Sequence, residues 1–524
     1  MQPSPATAQA APTASQYAAT SERMMPMQMH ARKVLGAALL FGILGDVLLR
    51  GGVWRFGFAL WIMTLILGAL AIGGRPTVDR ALLLIGLAFA ALGLAWRDAP
   101  LLYAVDLLSV LCVGALLIWH GSGQRLAHLT VVESARALAL ALVNALGGAI
   151  GMIERSTSSV DRAPKNNPRT RALVIGTVLA VPPLVIVTAL LVSSDAIFDR
   201  ILQRVVDFLA VQGFQHVAVA LVLTWIVAGL LRSTLGEAIH GPVPQVRSPA
   251  LPFWSVGVAL YALIVVLVSF LATQARVLFG GEAFLMATAG LTLANYAREG
   301  FFQMVAAAGV VLGTLVVADW LLGVDDASGR RRMRLIGAIL LILISALLAS
   351  ATVRIWLYVN QFGLSVDRLV ACTGIALVLA VLIACAATTL RGRSGRFAPA
   401  TLILTVAWVA SLNTVNLEAI VVRANVARAN AGAEFDAAYH AGLSADALPS
   451  LVAAAPMLTP TDCQLLSVAL RKTWSARLAD PENGGIDWRS RNLPLARARV
   501  WFDTGPAACT SAVSVLTDRA TPPG

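Results

Sequence analysis

The side chains able to bind a charged ligand or move a proton fall at a few places along this chain. Asp46, Asp195, Gln274, Arg276, Tyr296, Arg298, Glu299 and Arg354 stand at or near the ends of long apolar runs. Arginine presents a planar fork of donors that matches a carboxylate or phosphate bidentately, so Arg276, Arg298 and Arg354 are candidates for holding an anionic headgroup. Asp46 and Asp195 are candidates for a base or an ion partner beside it. The competing reading is structural: Arg298 is satisfied in the neighbourhood of Glu299, and Arg50 pairs with Asp46, each holding helix ends together. At the centre of a bilayer an ionisable group costs roughly 2.5 to 3.5 kcal/mol, so on either reading these groups face partners or a cavity.

Motifs of common soluble enzymes are missing from the sequence. It has no Gly-rich phosphate loop closing on Lys-Ser/Thr, no His-Glu-x-x-His and no Gly-x-Ser-x-Gly elbow. The six histidines, His30, His120, His128, His216, His240 and His440, are scattered without ligand spacing, so neither a metal site nor a cofactor is expected. Of the five cysteines, Cys112, Cys372 and Cys385 fall inside apolar runs. Cys463 and Cys509 lie in a polar C-terminal part and form a candidate disulfide in an oxidising compartment; two free thiols in a reducing one is the alternative.

The elements that must position these residues are set by composition. Charged residues are 13% of the chain and hydrophobic ones 58%, with mean hydropathy +0.77. A soluble domain carries about 25% charged residues and has no means of covering so much apolar side chain. Apolar stretches of roughly 16 to 23 residues recur between polar or Gly/Pro boundaries, the length of a bilayer-crossing helix. Expected spans are 34–49, 56–72, 81–96, 101–119, 172–193, 215–231, 254–273, 303–322, 335–353, 368–390 and 398–416, about eleven in all. The fold class is therefore all-α, a polytopic transmembrane helical bundle.

Net charge is +12, yet the basic residues sit in short clusters between apolar runs rather than along one helix face, which excludes a nucleic-acid partner and marks topology instead. The segment 137–153 is apolar but follows Glu133 and Arg136. If it stays on one side as an interfacial or packed helix, Arg32, Lys33, Arg75, Arg80, the basic loop 120–171, Arg330, Arg331, Arg332, Arg334, Arg391, Arg393 and Arg396 share one face. That face is the cytoplasm by the positive-inside rule.

The domain reading is then a disordered cytoplasmic tail at 1–32, a transmembrane domain at 33–416 with the cytoplasmic loop 120–171, and a small helical extracytoplasmic region at 417–524. Asp106 lies about a turn into the fourth span from outside. The apolar segment 284–297 is too short to cross and reads as a re-entrant or surface-lying element, an amphipathic surface helix being the plainer alternative.

Several strings resemble a bacterial membrane family known as domain of unknown function 4173, with the related 4153. They are Gln274-Ala-Arg276-Val-Leu-Phe279-Gly280-Gly281, Ala294-Asn-Tyr296-Ala-Arg298-Glu299-Gly300-Phe301-Phe302 and Ser193-Ser-Asp195-Ala-Ile-Phe198. Arg354 with Tyr358, Phe362-Gly-Leu-Ser365, Asn425-Val-Ala-Arg428, Asp436-Ala-Ala-Tyr439 and Leu443-Ser-Ala-Asp446-Ala-Leu-Pro449 continue the likeness. The resemblance implies a membrane fold in the bacterial inner membrane and no established chemistry. The function expected is a structural, regulatory or sensing role at the outer face of that membrane, more non-enzyme than enzyme, with the bilayer and an envelope lipid or protein as partners. Alternatives are a glycosyltransferase-like enzyme acting on a lipid-linked anion, and a transporter.

Overall fold

The computed structural model of the protein describes residues 14–50, 55–73, 76–121, 123–157, 200, 214–234, 250–289, 301–322, 327–479, 488–490 and 492–504. These hold sixteen α-helices: α1 (Ala14–Leu49), α2 (Phe56–Gly73), α3 (Val78–Trp96), α4 (Pro100–Gly121), α5 (Val131–Thr157), α6 (Phe214–Thr234), α7 (Phe253–Ala289), α8 (Phe301–Leu321), α9 (Ala327–Phe362), α10 (Val366–Thr388), α11 (Phe397–Thr414), α12 (Leu417–Asn430), α13 (Ala437–Gly442), α14 (Leu448–Ala454), α15 (Pro460–Ala479) and α16 (Leu493–Thr504). The single extended pairing among the described residues is an isolated bridge between Leu251 and Leu322.

Starts and stops follow local chemistry. Thr77 Oγ1, Ser365 Oγ and Asn416 Oδ1 each accept a backbone N–H of the first turn they precede, and Pro100 opens α4 where its missing N–H is not needed. α9 ends at Gly363, whose φ of +85° is open to glycine, and a Cβ there would strike the Arg428 guanidinium.

Eight helices are long and apolar enough to cross a membrane: Val78–Trp96, Pro100–Gly121, His216–Ser233, Phe253–Ala275, Gln303–Leu321, Ser328–Phe362, Val366–Arg391 and Ser394–Thr414. Each coincides with an expected span. Phe56–Ile72 is a shorter apolar helix at another, α1 covers 34–49, and 172–193 lies outside the described residues. Leu40, Leu67, Ile85, Leu108, Val258, Ile342, Ile383 and Ile403 are exposed to the surroundings. An outer surface of aliphatic side chains is what lipid contact requires, and the chain is a multi-pass membrane protein.

The inside is divided among three main cores. Val34, Phe41, Trp61, Leu87, Ala91, Leu94, Trp119 and Val227 pack α1 to α4 with α6, and Leu260, Leu315, Leu340, Ile344, Leu348 and Cys385 pack α7 to α10. Val422, Leu448, Leu451, Leu466 and Trp474 form a small core under the C-terminal helices. A fourth, minor cluster of Ala99, Leu102, Leu412 and Leu417 joins α4, α11 and α12 at one end of the bundle.

That end carries the C-terminal region. Trp488 packs edge-on against Phe56, Asn425 bonds both the N–H and the C=O of Leu364, and the Tyr439 hydroxyl accepts the Val366 N–H. At the opposite end Thr77 meets His120 and the Leu126 N–H bonds Asp79. His216, at the start of α6, bonds Asp46 near the end of α1, so α6 begins at the C-terminal-region end. Gly121 and Phe214 thus stand at opposite ends of the bundle.

Three elements differ from expectation. α7 runs unbroken through Gly280 and Gly281 to Ala289, so the first part of the expected separate segment 284–297 continues a helix instead; a glycine costs a helix only about 1 kcal/mol. α9 extends past both ends of the expected 335–353, because Arg354 finds a partner inside the bundle rather than ending the span. α1 already begins at Ala14, inside the segment expected as a tail. α5 is lodged against α1, α4 and α6, close enough that a Cβ on Gly229 would run into the Asn144 backbone oxygen.

Candidate functional site

α3 ends at Trp96 and α4 begins at Pro100, so only Arg97, Asp98 and Ala99 make the turn between them. The Arg97 N–H still closes the last turn of α3 on Gly93 O, but those of Asp98 and Ala99 have no helical partners. Asp446 supplies them from the C-terminal region: its Oδ2 accepts from Asp98 N at 2.9 Å and from Ala99 N at 3.2 Å. The arrangement is reciprocal, because Asp98 Oδ2 accepts from Ala445 N at 2.9 Å. Each carboxylate thereby caps the loop that carries the other.

Further bonds tie the clasp to its surroundings. Arg55 pairs with Asp98, and Asn492 Nδ2 donates to Asp98 Oδ1 at 2.7 Å and to Arg97 O at 3.2 Å. Arg97 donates from Nε to Asn413 O at 2.8 Å and from Nη2 to Thr414 O at 3.0 Å, covering carbonyls that the end of α11 leaves open. Its Nη1 faces Asp446 at 3.5 Å, and Asn416 Nδ2 donates to Asp446 O at 2.7 Å.

Glu418 lies beneath, 4% exposed, its Oε2 accepting from the Ser444 hydroxyl at 2.7 Å. Burial pushes its carboxyl up to about 7, softened by the Ser444 bond and reinforced by the Asp446 charge. Burial also raises Asp446, against the pull of the Asp98 and Ala99 N–H groups and Arg97. His440 moves the other way: burial lowers it, as suits an imidazole set between Asp436 O and Asn425 Nδ2.

A cavity of about 500 Å³ opens beside the clasp. Trp96, Leu448, Pro449, Val452, Leu493 and Pro494 give it apolar walls, while Arg97, Thr414, Asn416, Asp446 and Arg497 give it polar ones. Its volume is that of a small-ligand site, and its mixture of an apolar body with a few convergent polar groups is the usual lining of one.

The residues singled out from sequence are distributed differently. Gln274 and Arg354 do meet: Arg354 Nη2 donates to Gln274 Oε1 at 2.6 Å, joined by Ser350 Oγ at 3.3 Å, and both residues are buried between α7 and α9. Asp46 belongs to another cluster, where it pairs with Arg50 and bonds His216 Nδ1 at 3.2 Å, the structural arrangement weighed against a ligand site. Asp195, Tyr296, Arg298 and Glu299 lie outside the described residues, as does the side chain of Arg276. Cys463 is disulfide-bonded, and Cys509 lies outside the described residues. Among the described residues no cluster of His, Cys, Asp and Glu is arranged to hold a metal.

Sequence reasoning passed over Arg97, Asp98, Asn413, Glu418 and Asn492. Arg97-Asp98 reads as the polar boundary between two spans, and nothing local shows that a residue some 350 positions away completes it. Asp446 did stand in one of the strings quoted for family resemblance. Residues 84–454 match a family described as Domain of unknown function (DUF4153), which takes in the turn, Asn413, Glu418 and Asp446. The match falls on the relative of the family first suggested by those strings. No curated protein and no solved structure matches the chain.

Proposed function

Since the chain belongs to the DUF4153 family, whose description assigns no reaction, we propose from the geometry that it is a sensing or regulatory protein of the bacterial inner membrane. Its C-terminal region is an extracytoplasmic module clasped to the outer ends of the spans, and the cavity beside the clasp receives an anionic envelope amphiphile. The reciprocal capping of the 97–99 turn and the 444–446 loop by Asp446 and Asp98 carries this reading. It makes the C-terminal region a docked unit whose release changes the exposure of the turn, the cavity and three carboxylates at once.

Orientation is supported by charge. Arg80, Arg330, Arg332, Arg334, Arg391, Arg393 and Arg396 gather toward the end opposite the clasp, which by the positive-inside rule is cytoplasmic. In this reading one crossing at 172–193 and none at 137–153 carry the chain from the Gly121 end to the Phe214 end, and 154–171 stays cytoplasmic. A bridge between Cys463 and Cys509 belongs in the oxidising space outside. Arg497 offers the amphiphile a cationic partner, and the Trp96, Val452 and Leu493 walls take its apolar part.

Proteolysis of spheroplasts tests the reading. The wild-type C-terminal region should resist external protease, Asp446→Ala should release it while the spans stay folded, and anionic lipid should protect the wild type more than zwitterionic lipid does. A reporter cysteine at 154–171 that labels from outside would overturn the topology, and equal protease resistance of wild type and variant would overturn the clasp.

A further inference from the structure

Just below the clasp Asp106 of α4 and Asn413 of α11 meet inside the bundle, 0% and 4% exposed. Asn413 Nδ2 donates to Asp106 Oδ1 at 2.7 Å and to Val409 O at 3.2 Å, which uses both amide hydrogens. The two remaining oxygens, Asp106 Oδ2 and Asn413 Oδ1, receive no hydrogen bond among the described residues. Both face one point on α3: a Cβ on Gly93 would collide with Asp106 Oδ2 and lie 2.9 Å from Asn413 Oδ1. Glycine is what lets the three helices close on the pair.

Two buried acceptor oxygens that converge on one point of α3 without a donor between them repel, and an uncompensated carboxylate there is costly. No ion pair reaches Asp106 among the described residues. The charged groups nearest in the fold are already committed. Arg97 is divided among Asn413 O, Thr414 O and Asp446, and Arg55, over the Tyr103 ring one turn up α4, is paired with Asp98. A single hydrogen on Asp106 Oδ2 converts the repulsion into a second hydrogen bond.

We infer that Asp106 is a proton-binding site within the membrane domain, its Oδ2–H donating to Asn413 Oδ1 to close a cyclic acid–amide pair. The inference concerns a different site from the clasp, although Arg97 links them through the Asn413 carbonyl. Loss of that proton leaves a carboxylate against a carbonyl oxygen and drives α4 and α11 apart at the level of Gly93. The site thus gives the end of the last span, and the C-terminal region that follows it, two states distinguished by one proton.

Infrared spectroscopy of the full-length protein in lipid nanodiscs, with carbon-13 in the aspartate carboxyls, reads this directly. The expected spectrum holds a protonated-carboxyl C=O band that shifts in heavy water and is lost in Asp106→Asn, a variant that keeps an amide pair and melts like the wild type. If Asp106→Asn fails to fold, Asn413→Ser serves: the acid band persists but moves, because its acceptor has changed. A carboxylate band that disappears in Asp106→Asn, an acid band unmoved in Asn413→Ser, or an acid band abolished by sodium, which would make a metal cation the occupant, each overturns the inference. None of these readouts depends on whether the C-terminal region is docked.

Discussion

Replacing Glu418 with glutamine keeps the size and one acceptor oxygen of the side chain while removing its charge. Glu418 sits between α12 and the Ser444 hydroxyl with almost no exposure, and burial raises its carboxyl from the ordinary 4.5 to about 7. Below pH 4.5 the group is protonated whether docked or released, and its titration has no effect on docking. Between pH 4.5 and 7 the released form ionises while the docked form does not, so docking weakens as pH rises, and above 7 the loss is complete. At about 1.4 kcal/mol for each tenfold in proton concentration, that interval corresponds to about 3 kcal/mol, or more than a hundredfold in the docking equilibrium. Asp446, also raised by burial, acts in the same direction. His440 opposes it: burial lowers that imidazole, so below its ordinary 6.5 it costs docking stability as pH falls. The difference between wild type and Glu418→Gln cancels the His440 contribution and leaves the Glu418 titration with its coupling to the Asp446 charge. Protease protection of the C-terminal region in nanodiscs, measured from pH 4.5 to 8, should show the wild type falling relative to the variant across this interval. Parallel profiles, or a wild type that gains on the variant as pH rises, would refute the reasoning.

Other substitutions bear on single contacts. Gly93→Ala, which drives a methyl into Asp106 Oδ2, should lower stability by about 1–3 kcal/mol, read as a drop in melting temperature. Asp446→Ala strands Arg97 and two backbone N–H groups in a buried place and should cost about 3–5 kcal/mol of docking, read by protease sensitivity. Asn425→Ala removes both bonds to Leu364 and should cost about 1–3 kcal/mol by the same assay. Cys463→Ser should cost about 2–5 kcal/mol, and a non-reducing mass spectrum of the wild type should show Cys463 and Cys509 joined.

The spans were legible because lipid demands an apolar run of fixed length, and that demand is written residue by residue: 101–119 and 56–72 match helices at Pro100–Gly121 and Phe56–Gly73 closely. Their polar ends were less so. Arg354 reads as a boundary in sequence, yet it lies buried against Gln274, because a guanidinium with a hydrogen-bond partner can remain within the bundle. Gln274 with Arg354 was foreseen as part of a site, and Asp46 with Arg50 as an ion pair. The clasp was not, since Asp98 and Asp446 acquire meaning only when the chain between them has folded, and the same holds for Asp106 and Asn413, 307 positions apart.

The separation within the clasp also bears on how the protein is made. Asp98 N and Asp446 Oδ2 are 348 positions apart, and Arg97 reaches its carbonyl partners only when the last span is in place. Helices α3 and α4 therefore enter the membrane with their connecting turn uncapped and Asp106 without its amide, and they stay so through most of translation. A chain cut short before Asn413 carries these unanswered charges permanently. The nascent protein thus carries these unmet groups until residues 413–446 arrive to answer them.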